Sequence, residues 1–319
     1  MTYIALEEAF SLPAADPAQP PWAGHASHLK PGVAEDWARR LADFTQFRLP
    51  DMDAHGIDIQ VLSLTVPGIQ ADTDARQAVE HAVRANDYLA ETVAGHPDRF
   101  RGFAALPMQD PSAAITELRR CVQDLGFCGA LVNDHTQGHY LDEPDYEDFW
   151  SELETLDVPL YIHPSILVAD SWHVLNGHPE LQGALWSYGV ETAGHALRVL
   201  FGGVFDRHPN ATLILGHMGE FLPFQRSRLD SRFANLDVPL KRKPSEYFGD
   251  NILFTTSGVF DPTVLEGAVA GVGADSIMFS VDYPYEPTAE AVRGFEAANL
   301  SDTDRAKIAS GNARRILRL

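Results

Sequence analysis

Short apolar runs alternate with longer stretches of helical period from one end of the chain to the other. That alternation narrows the fold more than any other feature, because strands returned by helical crossovers build a parallel sheet with helices over its faces. The runs that read as strands are Tyr3 to Leu6 (YIAL), Ile57 to Leu64 (IDIQVLSL), Gly102 to Ala105 (GFAA), Gly129 to Val132 (GALV), Pro159 to Ile162 (PLYI), Thr212 to Leu215 (TLIL), Ile252 to Thr255 (ILFT) and Ile277 to Val281 (IMFSV). The clearer helices are Ala75 to Ala94, Ser112 to Asp124, Thr192 to Asp206, Pro262 to Val272 and Ala289 to Asn299. Asp110-Pro111-Ser112 and Asp261-Pro262-Thr263 each cap and start one, since Asp accepts from the first free N–H groups and Pro suits the first turn. Eight strands over 319 residues predict a single-domain (β/α)8 TIM barrel spanning 1–319, with a long irregular loop from Leu12 to about Gly32. A doubly wound open sheet is the alternative. It is disfavoured because no G-x-G-x-x-G or G-K-[ST] turn follows an early strand.

Composition excludes several functions. With 24 Lys+Arg against 45 Asp+Glu the formal charge is −21, which repels nucleic acid and anionic lipid surfaces. At 45% hydrophobic residues, a sizeable core is within reach and disorder is not expected. The two cysteines, Cys121 and Cys128, fit neither a disulfide framework nor a zinc ribbon. The N-terminal MTYIALEEAF lacks a basic segment followed by an apolar one, and no window reaches the ~18 apolar residues that a membrane span needs. A cytoplasmic protein is the expectation.

A barrel carries its chemistry at the C-terminal ends of its strands. Those ends present Glu7 and Glu8, Thr65, Asn133, His163, His217, Thr256 with Ser257, and Asp282. Strand ends also favour helix caps, so the set is more informative than any member. Four of the 13 histidines precede proline: His96, His178 and His208 read as helix stops or loop residues, while His163 alone closes an apolar strand, in VPLYIHP. His217 closes TLILGHMGE before a helix expected to begin near Gly219, and Glu220 three residues on is placed to fix its tautomer and raise its basicity. One imidazole and two carboxylates, from His163, Asp282 and one of the EE pair, suit Zn²⁺, Mn²⁺ or Mg²⁺ with open positions. Only one of Glu7 and Glu8 faces the axis, since side chains alternate along a strand.

These residues together resemble the decarboxylase branch of the amidohydrolase superfamily, the amidohydrolase-2 or ACMS-decarboxylase-like group. The resemblance runs from ALEEAF through DMDAHGID, RANDYLAE, PDRFRGFAALPMQDP, LGFCGALVNDHTQGHYLD, PLYIHP, GVFDRHP, LGHMGE and TTSG to FSVDYPYE and NARRILRL. It implies nonoxidative decarboxylation of an ortho-hydroxybenzoic acid such as 2,3-dihydroxybenzoate, 2,6-dihydroxybenzoate or 5-carboxyvanillate. It makes Glu7, His163 and Asp282 the metal ligands, His217 the active-site histidine and Glu220 its partner; in the mechanism we expect, Asp282, protonated, is also the proton donor. Arg228 matches an arginine that reaches the substrate from a neighbouring subunit, so a homodimer or homotetramer is implied. Tyr285, Trp186 and Tyr188 match aromatic residues near the substrate, and Asn133 is counted with them. Hydrolytic members carry a metal-binding histidine two residues after the first ligand. Here Ala9 stands in its place, which leans the ion towards Mn²⁺ or Mg²⁺ and argues against a water-activating hydrolase or lactonase. An ortho-hydroxyl supplies the electron density for ring protonation, so no organic cofactor is expected, and phenol carboxylation is the expected reverse reaction. A non-catalytic barrel is the remaining alternative. It predicts decay of a ligand set that is present in full.

Overall fold

The computed structural model describes residues 2–13, 29–165 and 172–319. Among the described residues the strands are β1 (Tyr3–Phe10), β2 (Ile57–Leu64), β3 (Phe100–Gly102), β4 (Ala104–Ala105), β5 (Ala130–Asn133), β6 (Leu160–His163), β7 (Leu213–Leu215), β8 (Ile252–Thr255) and β9 (Ile277–Met278). They pair in parallel, each with its neighbours in the chain, as β1-β2-β3 and as β4 through β9. Only Phe103 separates β3 from β4. Its N–H donates to the Leu62 carbonyl at 2.9 Å, and that of Ala104 turns to Gly129 at 2.9 Å, so these two strands are one stave that changes partner. At the other seam the Ala9 N–H donates to the Tyr283 carbonyl at 2.8 Å, joining β1 to the chain that continues β9. Eight staves therefore close into the expected TIM barrel.

Alternation sorts the staves into two faces. Ile4, Leu6, Val61, Leu131, Tyr161 and Ile214 fill the barrel interior. Tyr3, Ala5, Leu62 and Ile162 point the other way, into the larger cluster under the helices. Asp110 accepts from the Ala113 N–H at 3.1 Å and Asp261 from that of Thr263 at 2.8 Å, so both Asp-Pro starts cap their helices, Pro111–Gln123 and Pro262–Val272. Both cysteines are buried, and burial pushes the Cys128 thiol up to about 12.

Three expectations need correction. The helix expected over Thr192 to Asp206 begins at Ser187, ends at Phe201, and resumes as Val204–Arg207 after Gly203 takes a φ of 70°, a value that favours glycine. His208 is no surface stop: it is buried, with Nδ1 3.1 Å from Glu154 and Nε2 3.0 Å from Glu147. The right-handed helix expected near Gly219 starts only at Leu222. Most of the loop expected from Leu12 to about Gly32 lies outside the described residues. Among the described residues no helix is long and apolar enough to cross a membrane.

Candidate active site

The pairing register of β1 settles which glutamate enters the barrel. Ala5 pairs with Gln60 and Glu8 with Leu62, so three steps on β1 oppose two on β2, and a bulge lies between Ala5 and Glu8. A bulge reverses the facing of every residue after it. Ile4 and Leu6 point inward before it, and Glu7 and Ala9 line the cleft after it. Strict alternation from Leu6 would have aimed Glu8 inward. Glu8 instead turns outward, where burial pushes its pKa up to about 8 against the Val281 N–H and the Arg48 charge.

Glu7 uses its two oxygens differently. Oε2 accepts from the Tyr161 and Ser257 hydroxyls. Oε1 is buried without a hydrogen-bond partner and lies 3.5 Å from Nε2 of both His163 and His217. Burial opposes ionisation, yet the imidazoles of His217 and His163, with the two hydroxyls, hold the Glu7 pKa below the usual carboxylate value. His163 ends β6 with Nδ1 2.8 Å from the Pro164 carbonyl, which leaves Nε2 to face the cleft. Asp282 follows β9, and one donor atom each from Glu7, His163 and Asp282 lie within 4.8 Å of one another. The unpartnered buried oxygen and the O, N, O donor set fit a divalent ion.

His217 sits where the backbone is least ordinary. From His217 to Phe221 five consecutive residues have positive φ, of 47°, 56°, 67°, 50° and 66°. Four of them are not glycine. A left-handed conformation costs roughly 1–2 kcal/mol per such residue, so the surroundings must hold it. The His217 N–H donates to Ser257 Oγ at 2.9 Å, and Glu220 Oε1 lies 2.7 Å from His217 Nδ1. Nε2 is directed between Glu7 and Asp282, whose Oδ2 is 3.6 Å away. Burial alone would depress the His217 pKa, but the charges of Glu7 and Glu220 outweigh it and raise the value well above that of free imidazole. Two glycines make room: a Cβ on Gly216 would lie 2.4 Å from Glu7 Oε2, and one on Gly189 would lie 2.7 Å from Glu220 Oε2.

The substrate-side residues divide. Tyr285 bonds its hydroxyl to Thr65 and packs its ring at 5.1 Å from Trp37. Burial raises its pKa, as does burial for Tyr188, to about 12. Tyr188 lies near enough to Tyr285 to influence its ionisation. Asn133 is buried at the end of β5, opposite His163 in register, with Oδ1 unpartnered. Trp186 is half exposed, and Arg228 is exposed on the helix Leu222–Phe233. None of the five is among the residues lining the cleft, which are Glu7, Ala9, Ser63, Leu64, Thr65, Val66, His163 and Asp282; Tyr285 reaches it through its bond to Thr65. Sequence reasoning missed Tyr161. The signal was there, because Tyr161 stands two residues before His163 and so shares its face. It also missed Glu286, near Asp282, whose burial pushes its pKa up to about 7.

The amidohydrolase family model matches residues 15–319. The chain is 45% identical over 326 residues to the γ-resorcylate decarboxylase of Rhizobium sp. (strain MTP-10005), covering 99% of this chain and 98% of that one. Its structure is similar to that of a 2,6-dihydroxybenzoate decarboxylase complexed with 2,6-dihydroxybenzoate, with a TM-score of 0.92, 45% identity and 99% of both chains covered. It is similar also to a dihydroxybenzoic acid decarboxylase from Polaromonas sp. JS666 with bound manganese and the inhibitor 2-nitroresorcinol, with a TM-score of 0.93, 43% identity, and 99% and 97% covered.

Proposed function

The chain belongs to the amidohydrolase family, and from that premise we propose that it is a metal-dependent nonoxidative decarboxylase of an ortho-hydroxybenzoic acid, with 2,6-dihydroxybenzoate the first candidate. The observation that carries the reading is the Glu7, His163 and Asp282 donor set around a buried, unpartnered Glu7 oxygen. These three residues would hold the ion, and Ala9, which offers no fourth ligand, leans the choice towards Mn²⁺ or Mg²⁺, with Mn²⁺ bound in a similar decarboxylase. When bound, the ion supplies positive charge for the substrate carboxylate and its ortho oxygen. Asp282 delivers a proton to the ring carbon bearing the carboxylate. His217 Nε2, held in its orientation by Glu220, replenishes that proton and stabilises the dearomatised ring. The C–C bond then breaks, its electron pair returns to the ring, and CO2 leaves. Tyr285, Tyr188 and Asn133 shape the ring's pocket, with Trp186 at its edge.

No lysine or arginine lines the cleft among the described residues. An anionic substrate needs more positive charge, and Arg228 of a second copy is the source we assign. The working enzyme is then a homodimer or homotetramer, acting in the cytoplasm in the breakdown of aromatic compounds. The deciding experiment incubates the manganese-loaded enzyme with 2,6-dihydroxybenzoate, 2,3-dihydroxybenzoate, 5-carboxyvanillate and a panel of lactones, following each by chromatography. Release of CO2 from a hydroxybenzoate supports the reading. Hydrolysis of a lactone without decarboxylation overturns it.

A further inference from the structure

The barrel's last seam is sewn largely by side chains. The Glu7 N–H donates to Ser280 Oγ at 2.8 Å, and the Val281 N–H donates to Glu8 Oε1 at 3.0 Å. Ser280 Oγ itself lies 3.3 Å from Glu8 Oε1, so the two side chains form one connected bridge. Behind Glu8, Gln60 Nε2 donates to Oε2 at 3.2 Å, and the fully buried Arg48 donates to Gln60 Oε1 at 3.0 Å. Arg48 also donates to the Ala9 carbonyl, and its guanidinium lies over the Tyr283 ring at 4.5 Å. Every contact but that between Arg48 and Gln60 involves a residue within two positions of Glu7 on one strand or of Asp282 on the other. Buried polar groups joined this completely fix one geometry, since leaving any of them unpaired is costly.

We propose that Glu8, acting with Ser280, is a positioning residue that sets the spacing of Glu7 and Asp282 across this seam and thereby the affinity for the ion. The bulge makes such a device necessary. It turns Glu7 into the barrel at the price of regular pairing, and the outward-facing Glu8 replaces a main-chain acceptor for Val281. Arg48, reaching Glu8 through Gln60, offsets part of the cost of burying an acidic side chain there.

The inference rests on the metal reading above, and the experiment separates the two. Mn²⁺ affinity is measured by calorimetry, and the Mn²⁺ electron paramagnetic resonance spectrum is recorded, for folded wild type, Glu8→Ala, Glu8→Gln, Ser280→Ala and His163→Ala. Residues that orient ligands from behind typically contribute about 10–100-fold to affinity, and a loss in that range is expected for Glu8→Ala with an altered spectrum. Glu8→Gln keeps an acceptor for Val281 and recovers most of the loss. Wild-type affinity in Glu8→Ala, or equal losses in the Ala and Gln variants, overturns the proposal. If Glu8→Ala fails to fold, Ser280→Ala decides: weaker binding with an unchanged melting temperature supports the proposal, and unchanged binding overturns it. Should Glu8→Ala bind normally while His163→Ala does not, the metal reading stands alone. If wild type binds no ion, the metal reading itself has failed.

Discussion

Glu7 shows how one carboxylate serves two purposes. Its Oε2 is anchored by hydroxyls and its Oε1 is left for a cation, so the side chain is held before any ion arrives. Asp282 has the complementary task at the reacting carbon. Asp282→Asn is expected to lower kcat by about 10²–10⁴-fold, the usual contribution of a positioned proton donor, with the circular dichroism spectrum unchanged. Retention of near-wild-type turnover would remove Asp282 from that role. The raised pKa of His217 gives a second expectation. A histidine whose folded pKa exceeds its unfolded value, about 6.5, stabilises the fold fully below that pH and loses the effect as the pH rises through the raised value. Its proton also opposes a cation at Glu7, so ion affinity should rise with pH over the same window and binding should release a proton. Calorimetry in two buffers of different ionisation enthalpy measures that proton. A heat independent of buffer contradicts it.

At the scale of elements, the close approach of the β7 end to β1 depends on a missing side chain. Gly216→Ala places a methyl group against the Glu7 carboxylate, and the variant should fold but lose most of its bound manganese by elemental analysis. Full metal content would show that Glu7 can move aside. The strands were legible beforehand because apolar period and Asp-Pro caps are local signals. β2 and β8 fall at the expected residues, His163 ends β6 where a barrel places its chemistry, and Asp282 follows the shortened β9 on the same side. The register within β1 was not legible, because a bulge is a relation between two strands and leaves no mark in YIALEEAF alone. The left-handed turn at HMGEF escaped for the same reason. Local propensity favours a right-handed helix there, and only contacts from Ser257 and Glu220 override it. The IMFSV run is shorter as a strand than its apolarity implied, since the Glu7 N–H donates to the Ser280 side chain and the Val281 N–H to the Glu8 side chain in place of main-chain pairing.

For the whole molecule, a charge of −21 and an acidic cleft make capture of an anion the outstanding problem. Phe224 and Arg228, four residues apart, share one side of the helix Leu222–Phe233, Phe221 immediately precedes it, and all three are exposed. A second copy covering that side would bury the aromatic rings and receive the guanidinium. Arg228→Ala should therefore raise KM while leaving the assembly intact by light scattering. Mixing Arg228→Ala with Asp282→Asn, assayed at a substrate concentration too low for either to turn over alone, should restore activity to about a quarter in a symmetric dimer, because half the dimers are mixed and each mixed dimer has one complete site. No recovery after subunit exchange would place Arg228 outside the reaction. The two buried thiols have a use of their own. Burial holds both in the protonated form, and reagents that alkylate cysteine require the thiolate. Iodoacetamide should leave the native enzyme unmarked and label Cys121 and Cys128 only when the barrel opens, so mass spectrometry of labelled protein reads out the opening rate, and rapid labelling at full activity would show the wall to be looser than its packing implies.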